Sequence, residues 1–486
     1  MATIALLLCT AFVLILLGVE KRASRGVSLA VWIPTLWMMI AASRPLATWF
    51  TGPQWFSGAA NGESGSALDR WTLIGLAVMG IVVIARRRFD WLGAMRRHGW
   101  LLALLAYMFL STFWSEITLV AMIRWARECV AIIMALVMMS EANPRQALAS
   151  LFRRSAYVLI PFSLVLIKYY PALGRRYGNY SGAEMWTGVT GQKNELGRLC
   201  MISAFFLLWA LYVRWRERPR AGEGRYQARA DVSIVLLGLY LLIGSSSATS
   251  LATLMVGLAI FLGLRWFQKL RFSVPQAGLL ALVLFLVAYG VSVPFLAGSN
   301  LAAFTSVLGR DQTLTGRTEI WANVMPARSQ QPLFGYGFGS FWTGARRQLY
   351  DIPTGHNGYL DILLETGEVG LGFVTAWLLS CARQLHRSIA RDYEWASFGI
   401  CLLLMGLVYN ATESALNSLT DYMTAVVVLA VFVTACKPMM MDRGDSWASA
   451  DGNPALMLKP RLASVRPIRL RLNRAADLLV LIPPIQ

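Results

Sequence analysis

The sequence has 486 residues, of which 56% are hydrophobic and only 15% are charged, and its mean hydropathy is +0.52. Soluble globular proteins carry about 25% charged residues, so this composition excludes a soluble enzyme. Lys and Arg number 45 against 26 Asp and Glu, a formal net charge of +19. In a membrane protein such an excess is tested first against membrane sidedness and only then against nucleic-acid binding.

Apolar stretches long enough to cross ~30 Å of hydrocarbon recur along the chain. Their hydropathy predicts thirteen membrane-spanning helices. The predicted spans lie near residues 2–18, 27–42, 70–85, 99–113, 119–139, 155–170, 195–213, 232–247, 248–264, 275–295, 358–379, 395–411 and 421–436. We therefore expect an all-α polytopic membrane protein with about 12–13 transmembrane helices. Residues 1–436 are expected to form a single transmembrane domain, and residues 437–486 a basic cytoplasmic tail.

The basic residues are distributed unevenly between the two predicted sides. The first span is interpreted as an uncleaved helix with its N-terminus outside, because its basic residues follow the apolar run. If segment 20–26 is then cytoplasmic and the sides alternate, most of the 45 Lys and Arg residues fall in inner segments, such as 214–229 and 459–474. The positive-inside rule thus accounts for the charge excess, and no nucleic-acid partner is expected. The inner basic segments are expected to contact anionic membrane lipid.

One long outer segment, residues 296–356, is rich in Gly, Arg and aromatic residues, and functional residues concentrate in such connections. It ends at His356, one of three histidines. His98 and His386 lie among inner-side arginines and are predicted to be solvated loop residues, whereas His356 lies alone on the outer side at the start of a helix. His356 is therefore either a catalytic group or a hydrogen-bonded structural residue.

Three glycines of the outer segment, Gly335, Gly337 and Gly339, alternate with aromatic residues. A phosphate-cradling nucleotide loop would continue into Gly-Lys-Ser/Thr and would lie on the side that holds ATP. We predict instead a turn in which backbone approaches backbone closely.

No metal site and no cofactor are predicted, because one outer histidine without a second makes a poor ligand set. A carboxylate-only Mg²⁺ site stays open as an alternative. Its ligands would be Asp361 and Glu365, which share a helical face, together with Asp311 or Asp351.

Several motifs resemble, in the same order, those of the bacterial O-antigen ligase and Wzy-type polymerase superfamily, especially exopolysaccharide polymerases of the succinoglycan type. His356-Asn357, followed after nine residues by Gly367-Glu368-Val369-Gly370, is similar to the pattern H-[NSQ]-x9-G-x-x-G. The other similar segments are Trp114-Ser115-Glu116 with Arg124 and Arg127, residues 191–197 (G-Q-K-N-E-L-G, similar to the family element G-x-x-K-N-x-L-G), Ser245 to Ser250, and Gly316-Arg317 with Trp321. The first of these departs from the family pattern at Thr118 and Leu119, where a proline is common. The resemblance covers roughly residues 110–380.

This resemblance implies a GT-C-like, inverting glycosyltransferase of the bacterial inner membrane with a periplasmic active site. Its donor would be an oligosaccharide linked to undecaprenyl pyrophosphate, and a chain-length regulator and a flippase are candidate further partners. The preferred interpretation is a polymerase of lipid-linked repeat units for exopolysaccharide or O-antigen. One alternative is a ligase that passes glycan to lipid A core or to protein. An alternative of another class is a lipid-linked oligosaccharide flippase or transporter, which would carry polar groups through the bilayer centre and show repeat symmetry.

A pyrophosphate leaving group requires fixed cations, which are otherwise rare on the outer side. Basic residues do cluster on or near that side, namely Arg124, Arg127, Arg175, Arg176, Lys193, Arg198 and Arg317. Arg317 is predicted to act in catalysis, by stabilising the departing pyrophosphate with its planar fork. The predicted pyrophosphate-binding residues are Lys193, Arg124, Arg127, Arg175 and Arg176. Snorkelling or an ion pair with Glu128 is the alternative for Arg124 and Arg127, and interfacial anchoring is the alternative for Arg175 and Arg176.

The acceptor hydroxyl must lose its proton, and His356 is the predicted base or positioning residue. The predicted substrate-binding residues are Asn194, Asn357, Asp361 and Trp321. A helix N-cap explains Asn357 almost as well. Trp321 and the aromatic residues of 336–342 either stack on sugar faces or form a packed loop core.

Overall fold

The fold was analysed in a computed structural model that describes residues 1–51, 66–87, 89–177, 184–217, 224–272, 274–296, 317–350, 352 and 354–435. These residues belong to one compact unit, Met1–Pro438. The predicted tail 437–486, together with Asp311 and Asp351, lies outside the described residues.

The described chain is built from helices. In chain order they are α1 (Ala2–Ala23), α2 (Trp32–Ala41), α3 (Leu46–Thr51), α4 (Ala67–Arg86), α5 (Trp91–Arg97), α6 (Gly99–Ser111), α7 (Thr118–Met139), α8 (Pro144–Tyr169), α9 (Pro171–Gly174), α10 (Lys193–Glu217), α11 (Arg225–Gly244), α12 (Ala248–Lys269), α13 (Gln276–Leu296), α14 (Arg317–Gln330), α15 (Gly344–Tyr350), α16 (Gly358–Ser388), α17 (Tyr393–Tyr409) and α18 (Tyr422–Ala435). Short 3₁₀ turns precede α2 and follow α6. Within the described residues, strands occur in one antiparallel hairpin between α9 and α10, with β1 (Arg175–Tyr177) paired to β2 (Glu184–Trp186).

Every predicted span coincides with a helix. Eight described helices are long and apolar enough to cross a membrane: α1, α4, α8, α10, α11, α12, α13 and α16. Four shorter apolar helices cover residues 29–41, 99–114, 393–409 and 422–435. The remaining predicted span is α7, which has 22 residues and carries Arg124, Arg127 and Glu128. The predicted class, an all-α polytopic membrane protein, is confirmed.

The centre of the bundle is formed by α8, α10, α17 and α18. In α8 and α10, 78% of the most apolar 18-residue window is buried by other helices, against 17% in α1 and 11% in α4. Aromatic rings fill the contact between the central helices, with Phe152 stacked on Phe206 at 4.6 Å and Trp209 against Phe398 at 4.6 Å. The sides of α1 and α4 that do not pack expose leucine, isoleucine and valine, which suits contact with lipid chains.

His98 corrects one sequence prediction. It was expected to be solvated, but its side chain is buried and its ring stacks on Phe432 with 3.7 Å between centroids and 4° between planes. Burial lowers the pKa of His98 to about 4, so the ring is neutral at ordinary pH. His386 is half-buried, and its Nε2 lies 2.8 Å from the carbonyl oxygen of Val274. The environment of His98 is therefore set by its packing against α18, which is distant in sequence, and not by the neighbouring arginines.

Candidate active site

A polar cavity of about 290 Å³ collects residues from four separate segments. They are Arg176, Met185 and Thr187 from the hairpin region, Gln192, Lys193 and Asn194 at the start of α10, Arg317 and Ile320 of α14, and His356 before α16. The cavity thus brings together five of the predicted site residues. Three of them are cationic, and they lie beside the N-terminus of a long helix, whose dipole also favours an anion.

Glu413 lies in the connection between α17 and α18 and joins three of these residues. Asn194 donates from Nδ2 to Glu413 Oε1 over 2.6 Å, and Arg317 pairs with the same oxygen through Nη2. His356 Nδ1 lies 3.4 Å from Glu413 Oε2. Glu413 is 6% exposed, so its charge is balanced by these partners rather than by water.

Sequence reasoning missed Glu413. The residue follows the predicted span 395–411, and the motifs that carry the family resemblance end near residue 380. The available signal was weak, because it amounts to an acidic residue in a short connection on the predicted outer side.

The backbone holds His356 in an uncommon conformation, with φ of +47°. Neighbouring contacts enforce it. Gly355 N–H donates to Asp361 Oδ1 over 3.0 Å, and Trp321 Nε1 donates to the Gly355 carbonyl over 2.8 Å. Gly358 N–H donates to the Glu413 carbonyl over 3.0 Å. A strained residue held from several directions is typical of a functional position. With Nδ1 beside a carboxylate, Nε2 is the ring nitrogen available to a substrate hydroxyl.

Asn357, Asp361 and Trp321 are fully buried next to His356. Asn357 caps α16 by accepting from Leu360 N–H over 2.8 Å, and its Nδ2 donates to the Ala411 carbonyl over 2.9 Å. Asp361 Oδ1 also accepts from Trp342 Nε1 over 2.9 Å. These contacts give the three residues a role in fixing the His356 turn, while their predicted role in binding substrate stays a prediction.

The remaining predicted cations do not line this cavity. Arg124 donates to the Gly339 carbonyl. Arg175 donates to the Ile167 carbonyl over 2.7 Å and pairs with Glu184 at 3.0 Å. Arg127 is also absent from the lining. Arg176, by contrast, is part of it, and burial lowers the pKa of its guanidinium to about 10.

The glycine motifs meet at a break in α16. Gly367 interrupts the helix with φ of +68°, and the segment 332–336 docks there. Glu368 N–H donates to the Pro332 carbonyl over 3.0 Å, and Tyr336 N–H donates to the Leu364 carbonyl over 3.0 Å. A Cβ on Gly335 would lie 2.6 Å from the Glu365 carbonyl carbon. A Cβ on Gly337 would lie 2.7 Å from the Ser111 carbonyl oxygen, whereas Gly339 faces the Arg124 side chain. The prediction of a close backbone approach is confirmed at Gly335 and Gly337.

Within the described ranges, no group of three His, Cys, Asp or Glu side chains is arranged to hold a metal ion. Asp361, a ligand in the Mg²⁺ alternative, already accepts hydrogen bonds from Trp342 and Gly355. Glu365, the second ligand of that alternative, is buried, and the remaining ones, Asp311 and Asp351, are among the residues not described.

Fold and site together define a multi-pass helical membrane protein with a cationic cavity and a His–Glu pair where helices end. Residues 233–375 match the family model described as O-antigen ligase, a stretch that includes Arg317, His356 and Gly367. The exopolysaccharide production protein ExoQ of Rhizobium meliloti (strain 1021) is 26% identical over 328 residues, which cover 64% of this chain and 72% of the relative. These matches confirm the resemblance to the O-antigen ligase and Wzy-type family.

Proposed function

We propose that the protein is a metal-independent, inverting glycosyltransferase that polymerises lipid-linked oligosaccharide repeat units at the periplasmic face of the inner membrane. The donor is an oligosaccharide on undecaprenyl pyrophosphate, and the product is exopolysaccharide or O-antigen. The observation that carries the proposal is the contact of His356, Arg317 and Asn194 with one buried carboxylate, Glu413, beside Lys193 and Arg176.

In the proposed reaction, the acceptor hydroxyl gives its proton to His356 Nε2 while its oxygen attacks the anomeric carbon. Glu413 orients the imidazole through Nδ1 and stabilises the imidazolium that forms. The bond from the anomeric carbon to the pyrophosphate oxygen breaks, and the electron pair leaves with the phosphate. Attack from the face opposite the leaving group inverts the anomeric carbon. His356 then releases the proton to water.

The cations have the complementary task of stabilising the departing charge. Arg317 binds Glu413 through Nη2, but a guanidinium has five N–H donors, so the same side chain can also bind a phosphate oxygen. Lys193 and Arg176 line the same cavity and supply further positive charge. Such oriented donors act most strongly where water is excluded.

The similarity to an exopolysaccharide production protein favours polymerisation over transfer to lipid A core. A ligase would use the same donor and the same site, so the acceptor decides between the two activities. A transporter would move the lipid-linked oligosaccharide without forming a glycosidic bond.

The test uses purified protein in lipid nanodiscs with a lipid-linked repeat unit as the substrate. We expect polymer to form and to persist in EDTA. His356→Ala should lower turnover on the order of a hundredfold or more, and Glu413→Gln should lower it roughly tenfold to a thousandfold because the imidazole loses its oriented charged partner. His386→Ala is the matched control and should retain wild-type turnover.

Four results would contradict the proposal. Normal polymer formation by well-expressed His356→Ala protein would show that His356 has only a structural role. Loss of activity in EDTA that Mg²⁺ restores would show that a metal ion takes part. Transfer only to lipid A core would identify a ligase, and translocation without bond formation would identify a transporter.

A further inference from the structure

A cavity of about 570 Å³ lies between α10 and α12, at the end of α10 remote from Lys193. The charge pattern predicts that these helix ends lie on the cytoplasmic side, and we call this space the inner cavity. Its lining is cationic, aromatic and polar, and includes Tyr212, Arg216, Arg265, Trp266, Gln268 and Lys269. None of these residues takes part in the proposed reaction, so the inner cavity requires an explanation of its own.

Arg265 is the buried cation of the inner cavity. It is 8% exposed, and its guanidinium lies 4.8 to 5.1 Å from the centroids of three aromatic rings, those of Phe261, Tyr212 and Tyr393. Aromatic faces of this kind stabilise a cation. Within the described residues, Arg265 Nε is buried without a hydrogen-bond acceptor, so one donor of the guanidinium is unused.

A single carboxylate neutralises the cations of the inner cavity only in part. Glu394, at the start of α17, accepts from Arg265 Nη1 over 2.7 Å and from Arg216 Nη1 over 2.9 Å. Lys269 is exposed at the end of α12 and adds a third positive charge. Three cations against one carboxylate leave an excess of positive charge, which an anion in the inner cavity would compensate.

An apolar face of α12 leads to the inner cavity. Four large side chains on that helix are 42–67% exposed, namely Leu251, Met255, Leu262 and Trp266. Their spacings of four and seven residues place them on one face, which continues into Lys269 and the exposed Leu270. A spanning helix whose exposed apolar face ends in tryptophan and lysine matches the order of acyl chain, interface and headgroup in a lipid leaflet.

We propose that the inner cavity binds the phosphate of an anionic phospholipid, such as phosphatidylglycerol, whose acyl chains lie along the exposed face of α12. This inference does not depend on glycosyl transfer. Arg216 and Lys269 bind phosphate oxygens through charge-assisted hydrogen bonds, and the cations repel the choline group of a zwitterionic lipid. Diffuse attraction of basic segments to the leaflet would be shared by all their cations, whereas here the cations surround one buried guanidinium.

The test is native mass spectrometry of the purified full chain, titrated with phosphatidylglycerol or with phosphatidylcholine of the same acyl chains. Wild-type protein should bind its first phosphatidylglycerol roughly tenfold more tightly than phosphatidylcholine. Lys269→Glu should remove most of this preference, because one attraction becomes a repulsion, and Arg216→Gln should lower it about threefold to tenfold. Arg86→Glu is the matched control. Arg86 lies in the last turn of α4, on the same predicted side, and does not line the cavity, so the preference should stay within about twofold.

Inorganic phosphate separates a lipid site from a site for a free anion. At the same concentration as the lipid it should not displace phosphatidylglycerol, because it lacks the acyl chains that cover the apolar face of α12. Displacement by inorganic phosphate would overturn the assignment to a lipid. Equal wild-type binding of the two phospholipids would overturn the inference, and so would equal losses in Lys269→Glu and Arg86→Glu, which would indicate diffuse attraction. Thermal melting verifies that each variant is folded, and Arg216→Gln carries the comparison if Lys269→Glu is not.

Discussion

At the scale of single residues, the site depends on how one carboxylate is shared. Glu413 contacts the side-chain amide of Asn194, the guanidinium of Arg317 and the imidazole of His356. Burial of a carboxylate with a single partner would cost free energy, because the charge loses its hydration. Several oriented donors compensate for that loss. In the proposed mechanism the same contacts couple the base to the cation that stabilises the leaving group, because Arg317 and His356 bind different oxygens of Glu413. Substitution of either residue should therefore disturb the other.

Arg317 offers a prediction that separates charge from shape. Arg317→Lys retains the positive charge but loses the planar fork, so turnover should fall roughly tenfold to a thousandfold at an unchanged protein level. Arg328→Lys in the same helix is the control, since Arg328 pairs with Glu368 at 2.7 Å outside the cavity and should tolerate lysine. Turnover and expression are measured in membranes. Wild-type turnover in Arg317→Lys would show that charge alone suffices there.

At the scale of elements, the 410–421 connection is held at its C-terminal end by two other helices. Glu128 of α7 accepts from Ser418 Oγ over 2.9 Å and from Thr420 N–H over 3.3 Å. Arg198 of α10 binds both oxygens of Asp421, at 2.8 and 2.6 Å. Glu128, the ion-pair partner considered for Arg124 and Arg127 in the sequence analysis, therefore also binds this loop. Side chains from two other helices thus hold one end of the connection that contains Glu413.

Glu128→Gln tests this positioning role. The amide can turn its oxygen toward the backbone N–H of Thr420, but it carries no charge, so the loop loses charge-assisted hydrogen bonds worth about 1.5–3 kcal/mol. We expect kcat to fall roughly five- to a hundredfold with little change in KM. Glu141→Gln is the matched control, because Glu141 is equally buried but pairs with Arg87 at 2.6 Å, away from the site. It should lower thermal stability without lowering kcat. Equal effects of the two variants on kcat would reduce Glu128 to a general stabilising role.

At the scale of the whole molecule, charged groups collect at opposite ends of the same helices. Helix α10 begins at Lys193 in the cationic cavity and carries Arg216 near its other end, where Arg216 pairs with Glu394 at 2.9 Å. Its 25 residues extend roughly 37 Å at 1.5 Å per residue. That length exceeds the ~30 Å hydrocarbon thickness, so the two clusters are expected to lie at opposite membrane surfaces.

Cysteine labelling tests the sidedness that follows. Introduced cysteines at Ala221 and Gly444 should react only after the inner membrane is permeabilised, and one at Ser329 should react in intact spheroplasts. The physical reason is that the basic segments 214–229 and 459–474 are retained in the cytoplasm by the positive-inside rule. The labelled variants must keep wild-type expression. Labelling of Ala221 from outside would invert the topology and move the cationic cavity to the cytoplasmic face.

The amino-acid sequence determined the helices, because membrane insertion depends on the summed hydropathy of a continuous stretch, a local property. It also identified His356, Arg317 and the motif glycines through a characteristic spacing. Only the tertiary structure brought Arg176 into one cavity with Lys193 and Arg317 and placed Glu413 beside His356. These residues come from separate segments of the chain, and His356 and Glu413 are 57 positions apart. Whether side chains so distant in sequence meet depends on how the helices pack, and hydropathy carries no information about that.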